Sequence, residues 1–136
     1  NSKSFNAKTQ FNATSALVSQ SFYAKGFDAF IQLTKLPESE DNQLYRHASL
    51  YQMGRTSVVG EIKTAEGILA FENYLKKFSK LPDSIKTQLP SQQWAQYRMN
   101  QLLRRNNNIK QADVIIEQLK KQALNDPKLA ELIHNR

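Results

Sequence analysis

An all-α fold, built from antiparallel helical hairpins stacked as a short array, is what this sequence predicts, and three observations predict it. Apolar residues recur at helical spacing along most of the 136 residues, and strict alternation never lasts more than a few positions. Gly and Pro are scarce, four of each, about 6% of the chain against an average near 12%. Three of the four prolines, Pro37, Pro82 and Pro127, stand 45 residues apart.

Each element has a local reason. Residues 1–15 are polar apart from Phe5, Phe11 and small alanines, and read as an N-terminal arm. Asn12-Ala13-Thr14 matches the glycosylation triplet, a pattern common by chance. Ala16, Leu17, Phe22, Tyr23 and Ala24 suggest a first helix closed by Gly26. Phe27, Phe30, Ile31 and Leu33 suggest a second, ending before Pro37, because a residue that precedes proline is biased away from helix. An acidic link over 38–42 leads to a helix carrying Leu44, Tyr45, Ala48, Leu50 and Tyr51, with Gly60 as its stop. The next runs from about Ile62 to Ser79, its Lys76, Lys77 and Lys80 complementing the helix dipole, until Leu81-Pro82-Asp83-Ser84 breaks it.

Ser91 has the chemistry of an N-cap for the helix that holds Trp94, Tyr97, Met99, Leu102 and Leu103. Asn106-Asn107-Asn108 is a turn, since Asn tolerates left-handed backbone. Ile109, Ala112, Ile115, Ile116, Leu119 and Leu124 carry the following helix. Asp126 caps a short last one with Pro127 at its first position. The expected domain thus covers 16–136, with hairpins over 16–37, 43–80 and 91–124 and a cap over 127–135.

The words around two of the prolines repeat: Leu36-Pro37-Glu38-Ser39 with Gln43-Leu44, and Leu81-Pro82-Asp83-Ser84 with Gln88-Leu89. Residues 60–75, with Gly60, Ile62, Ala65, Phe71 and Leu75 in order, resemble the second half of a tetratricopeptide repeat. Trp94 through Leu119 is similar, with an aromatic first helix, a turn at Asn107 and a small Ala112. Ala24-Lys25-Gly26-Phe27-Asp28-Ala29 resembles the same turn in a degenerate copy. The resemblance covers roughly 15–127, with a period of 45 in place of the family's shorter one and Asn100 where a small residue belongs. It implies a right-handed stack of hairpins that binds a protein or peptide segment on one face.

Composition excludes much chemistry. There is no Cys, hence no disulfide, thiolate nucleophile or Cys zinc site, and only two His. His47 reads as a packed or surface residue, and His134 lies in the fraying end. Neither has a partner at metal-ligand spacing. Glu38, Glu40 and Asp41 lack the spacing of a calcium loop. Phosphate-binding glycine loops and a Gly-x-Ser-x-Gly elbow are missing. No cofactor, metal or catalytic residue is expected, and no membrane span, because no apolar run is long enough. The chain reads as soluble, cytoplasmic or exported, and the lack of Cys and of an initiator Met leans toward an exported, periplasmic setting.

Lys and Arg number 19 against 12 Asp and Glu, net +7. Four of the seven charges come from residues 98–136, where Arg98, Arg104, Arg105, Lys110, Lys120 and Lys121 cluster. A solvated face is the ordinary meaning of such charges; a cationic groove for an acidic or neutral segment is the functional one. Aromatics at helical spacing, such as Trp94, Phe71 and Tyr74, are expected in the core. Tyr97, Gln101, Arg104 and Arg105 are the expected partner-binding set, since Trp94, Tyr97, Gln101 and Arg104 share a helix face distinct from the Met99, Leu102, Leu103 stripe. The resulting expectation is a non-catalytic protein-interaction module. A nucleic-acid or anionic-polymer binder, and an accessory domain of a larger enzyme or envelope protein, are the alternatives.

Overall fold

A computed structural model of the chain describes residues 6–135. Among them are eight helices and no strand: α1 (Ala7–Ser19), α2 (Tyr23–Thr34), α3 (Glu40–Gly60), α4 (Thr64–Phe78), α5 (Asp83–Lys86), α6 (Gln92–Arg105), α7 (Ile109–Lys120) and α8 (Pro127–His134). The fold is all-α, an array in which the helices other than the single turn α5 pack on their neighbours along the chain. Three hairpins, α1–α2, α3–α4 and α6–α7, follow one another. Each second helix also packs on the next first helix, α2 on α3 and α4 on α6. The first helices lie side by side as well, α1 on α3 and α3 on α6.

Local chemistry starts the first helices. The Asn6 side chain accepts from the Thr9 N–H at 3.1 Å, Ser39 from Asn42 at 3.2 Å and Ser91 from Trp94 at 3.1 Å. The Asp126 carboxylate accepts from the N–H groups of Lys128 and Leu129 ahead of α8, with Pro127 at the first position as expected.

The second helices have no side-chain cap; each issues from a three-residue turn that contains left-handed backbone, with a second such residue, Lys63, in the α3–α4 turn. Ser21, Glu61 and Asn107 hold left-handed backbone at φ 70, 54 and 65°. The next N–H then reaches back to the carbonyl five residues earlier: Phe22 to Leu17 at 2.9 Å, Ile62 to Ser57 at 3.4 Å, Asn108 to Leu103 at 2.8 Å. This closure satisfies carbonyls that a helix end leaves open. Glycine commonly takes the left-handed position, yet no glycine here has positive φ.

The glycines are spent on close packing. Gly26 and Gly67 are the fourth residues of α2 and α4, and Ala112 holds the same place in α7. A Cβ on Gly26 would stand 2.5 Å from Val18 of α1; one on Gly67 would run into the Ser57 side chain of α3. Gly26 therefore lies inside a helix and does not close one. Gly60, by contrast, is the last residue of α3, the stop expected of it, and Glu61 beyond it takes the left-handed position of the turn.

Three further expectations change. The polar arm assigned to 1–15 is helical from Ala7 onward, and residues 1–5 lie outside the described residues. The inward side of α1 carries Ala7, Phe11, Thr14 and Val18, where the small Ala7 and the polar Thr14 interrupt the apolar stripe. Thr14 is buried because its hydroxyl donates to the Gln10 carbonyl at 2.8 Å. The segment 83–86 forms a helical turn, α5, where only a break was expected. The prolines do not mark the period: Pro37 lies in the link before α3, Pro82 caps α5, and Pro127 opens α8. Measured from the start of each second helix, at 23, 64 and 109, the hairpins repeat at 41 and 45 residues.

The main core runs through the second and third hairpins. Tyr51, Phe71, Tyr74, Leu102, Leu103 and Leu119 lie at its centre, and Leu129 and Ile133 of α8 close it. A smaller cluster of Val18, Phe30 and Leu33 joins the first hairpin to it. Tyr74 donates its hydroxyl to the Pro90 carbonyl, which fixes the link leading into α6.

Candidate functional site on the α3–α6 face

Helix α6 carries all four residues expected to bind a partner, and the structure turns them in different directions. Tyr97 is only 7% exposed; it packs inward, with Trp94 edge-to-face against it at 6.1 Å and 86°. Gln101 is half-buried, and its Oε1 has no hydrogen-bond partner. Arg104 turns toward α7, donating from Nε to Asn100 Oδ1 at 3.1 Å and from Nη2 to Asp113 at 2.6 Å. Arg105 turns the other way, donating to the main-chain carbonyls of Ser57 and Val58 at the end of α3. Tyr97 and Arg104 are thus taken up by the fold. Gln101 and Arg105 remain beside α3.

What does gather there is a second set. Arg98 lies one turn before Gln101, and its Nε donates to the Tyr51 hydroxyl of α3 at 3.0 Å. Its guanidinium also lies 5.5 Å from the Trp94 ring centre, a cation–π arrangement. The indole N–H of Trp94 donates to Asp126 at 2.8 Å, and that bond holds the Asp126 carboxyl below its ordinary range. Arg55 of α3 adds a second positive charge near the same phenol. Burial pushes the Tyr51 phenol up, while Arg98 and Arg55 pull it down.

Four ion pairs are formed among the described residues: Arg46–Glu38, Lys86–Asp83, Arg104–Asp113 and Lys120–Glu117. None involves Arg55, Arg98 or Arg105. The α3–α6 face therefore presents three guanidiniums that enter no ion pair among the described residues, next to the Gln101 amide and a half-buried indole whose N–H is held by Asp126. Such a surface holds anionic groups by charge-assisted, often bidentate, hydrogen bonds. Among the described residues no group of three or more His, Asp or Glu could hold a metal ion, and no helix is long and apolar enough to cross a membrane.

Sequence reasoning placed Arg98 among the basic residues but missed its pairing with Arg55, 43 positions earlier, because only the packing of α3 on α6 brings them together. The spacing of Trp94, Arg98, Gln101 and Arg105, one stripe of α6, was the available signal. Comparison with protein-family models, with curated proteins and with solved structures finds no match.

Proposed function

We propose that this chain is a tetratricopeptide-like helical-repeat module that binds a segment of another protein without catalysis, on the face shared by α3 and α6. The observation that carries the reading is the set of three arginines outside any ion pair among the described residues, Arg55, Arg98 and Arg105, beside Trp94 and Gln101. Tyr97 and Arg104 support this face from beneath and from the α7 side; Gln101 and Arg105 touch the partner. An acidic segment suits the face, with carboxylates on the guanidiniums and an apolar side chain against the indole.

The test is capture of partners from the native source by the wild-type chain and by an Arg55→Ala/Arg98→Ala double variant, with mass spectrometry of what is retained. The reading expects the double variant to keep its helical circular dichroism and lose the main retained protein. Equal retention by both chains contradicts it. If nucleic acid alone is retained, and is lost steeply as salt rises, the partner assignment is wrong.

A further inference from the structure

A second site, independent of the α3–α6 face, lies where the link after α2, the N-terminal half of α3 and the C-terminal end of α4 meet. They enclose a cleft of about 670 Å³, within the size range of small-molecule sites. We propose that this cleft binds a small organic carboxylate, gripped between Arg46 of α3 and Lys77 of α4 with His47 beside it.

The floor is unusual. His47 is 5% exposed, stacks on the Tyr74 ring at 4.5 Å between centres, and its Nε2 is buried with no hydrogen-bond partner. A buried polar atom left unpaired costs about 1–3 kcal/mol, so a ligand that supplies the partner recovers that cost. The ring is neutral near pH 7: burial above all, with Lys77 adding to it, lowers its pKa from 6.5 to about 4 against a main-chain hydrogen bond to Tyr74. With its one N–H on the Tyr74 main chain, the neutral imidazole offers Nε2 as an acceptor, which suits a hydroxyl carried by the ligand beside its carboxylate.

The charges around the cleft favour an anion. Arg46 is held loosely, its Nε 3.4 Å from the Thr34 carbonyl and its Nη1 3.4 Å from Glu38, whose side chain is 88% exposed. Glu38 can swing into solvent and leave the guanidinium to a ligand, since so exposed a pair contributes little. Lys77 forms no ion pair among the described residues, and neither Gln43 nor Asn73 on the rim forms a side-chain hydrogen bond. Glu40 at the mouth opposes a ligand of high charge and favours one of modest charge. Leu50 and Leu81 line the same cleft. A planar carboxylate matches the fork of Arg46, and its organic body covers the two leucines, which a bare inorganic anion would leave in water.

The experiment is a titration of the ¹⁵N-labelled full chain with malate at pH 7 and fixed ionic strength, followed by nuclear magnetic resonance. The expected result is saturable shifts confined to the residues around Gln43, His47, Asn73 and Lys77. Lys77→Gln, at an exposed position that leaves the fold intact, weakens binding about tenfold or more, as loss of a hydrogen bond from a charged group does. Lys76→Gln on the neighbouring surface leaves the affinity unchanged. The proposal is overturned if the shifts do not saturate, if Lys77→Gln binds as the wild type does, or if inorganic phosphate produces the same shifts with equal affinity. None of these outcomes bears on the α3–α6 face.

Discussion

The main-chain carbonyl of Ser57 accepts from the Arg105 guanidinium, 48 residues further along the chain. The same carbonyl accepts from the Ile62 N–H that closes the α3–α4 turn, and the Ser57 hydroxyl donates to the Lys63 carbonyl at 3.2 Å. One arginine of α6 therefore joins the third hairpin to the turn of the second. This makes Arg105 a structural residue as well as part of the cationic face. Arg105→Ala should lower stability by about 1 kcal/mol, the usual net value of one hydrogen bond at a partly exposed site. Urea unfolding checks it, and an unchanged midpoint would show that the bond contributes nothing.

Close helix contact is the role of the glycines. At Gly54 a methyl group would run into the Phe71 ring, and at Gly67 into the Ser57 side chain. In an exposed helix Gly→Ala stabilises by about 1 kcal/mol; overpacking a buried contact costs about 1–3 kcal/mol. Gly54→Ala is expected to lower the unfolding free energy by about 2 kcal/mol, because a ring wedged between α3 and α4 cannot withdraw. An increase in the melting temperature would refute the packing role.

The hairpin turns predict the opposite sign. Ser21 and Asn107 hold left-handed backbone, which for most side chains costs about 1 kcal/mol or more and for glycine almost nothing. Ser21→Gly should raise stability by about 1 kcal/mol, and Asn107→Gly by less, since Asn tolerates this conformation best. Thermal unfolding of both variants, read together, checks the size and the order.

Stability should also depend on pH through His47. Its pKa is about 4 in the folded chain and 6.5 when unfolded, so the unfolded state binds the proton more readily between these values. The native state therefore has the full benefit above pH 6.5 and loses it progressively as pH falls toward 4. The loss is about 3 kcal/mol, at 1.36 kcal/mol per unit of pKa difference. His47→Gln should flatten the unfolding free energy between pH 6.5 and 4.5, and an unchanged slope in that variant would contradict the assignment.

Sequence patterns reported best what is decided locally. Ser91 before α6, Asn107 in its turn and Asp126-Pro127 before α8 act within three or four residues, and each does what its side chain suggests. Helix α1 was hidden because Ala7 and Thr14 alternate with Phe11 and Val18 along its inward stripe, and they register as small or polar in any periodicity. Gly26 looks like a stop to a local reading; only the approach of Val18 shows why it must lack a side chain. The site was legible to the level of the helix. Which side of α6 each arginine takes depends on where α3 and α7 lie, and that is set by long-range packing.

The claim that matters most is that the α3–α6 face is where a partner binds. A photo-crosslinking amino acid placed at Gln101, in a chain incubated with extract of the native source, tests it most directly. The account predicts a discrete crosslinked protein from position 101, none from Glu72 on the exposed side of α4, and loss of the product in the Arg55→Ala/Arg98→Ala background. Equal crosslinking from 101 and 72, or a product indifferent to both arginines, would contradict it.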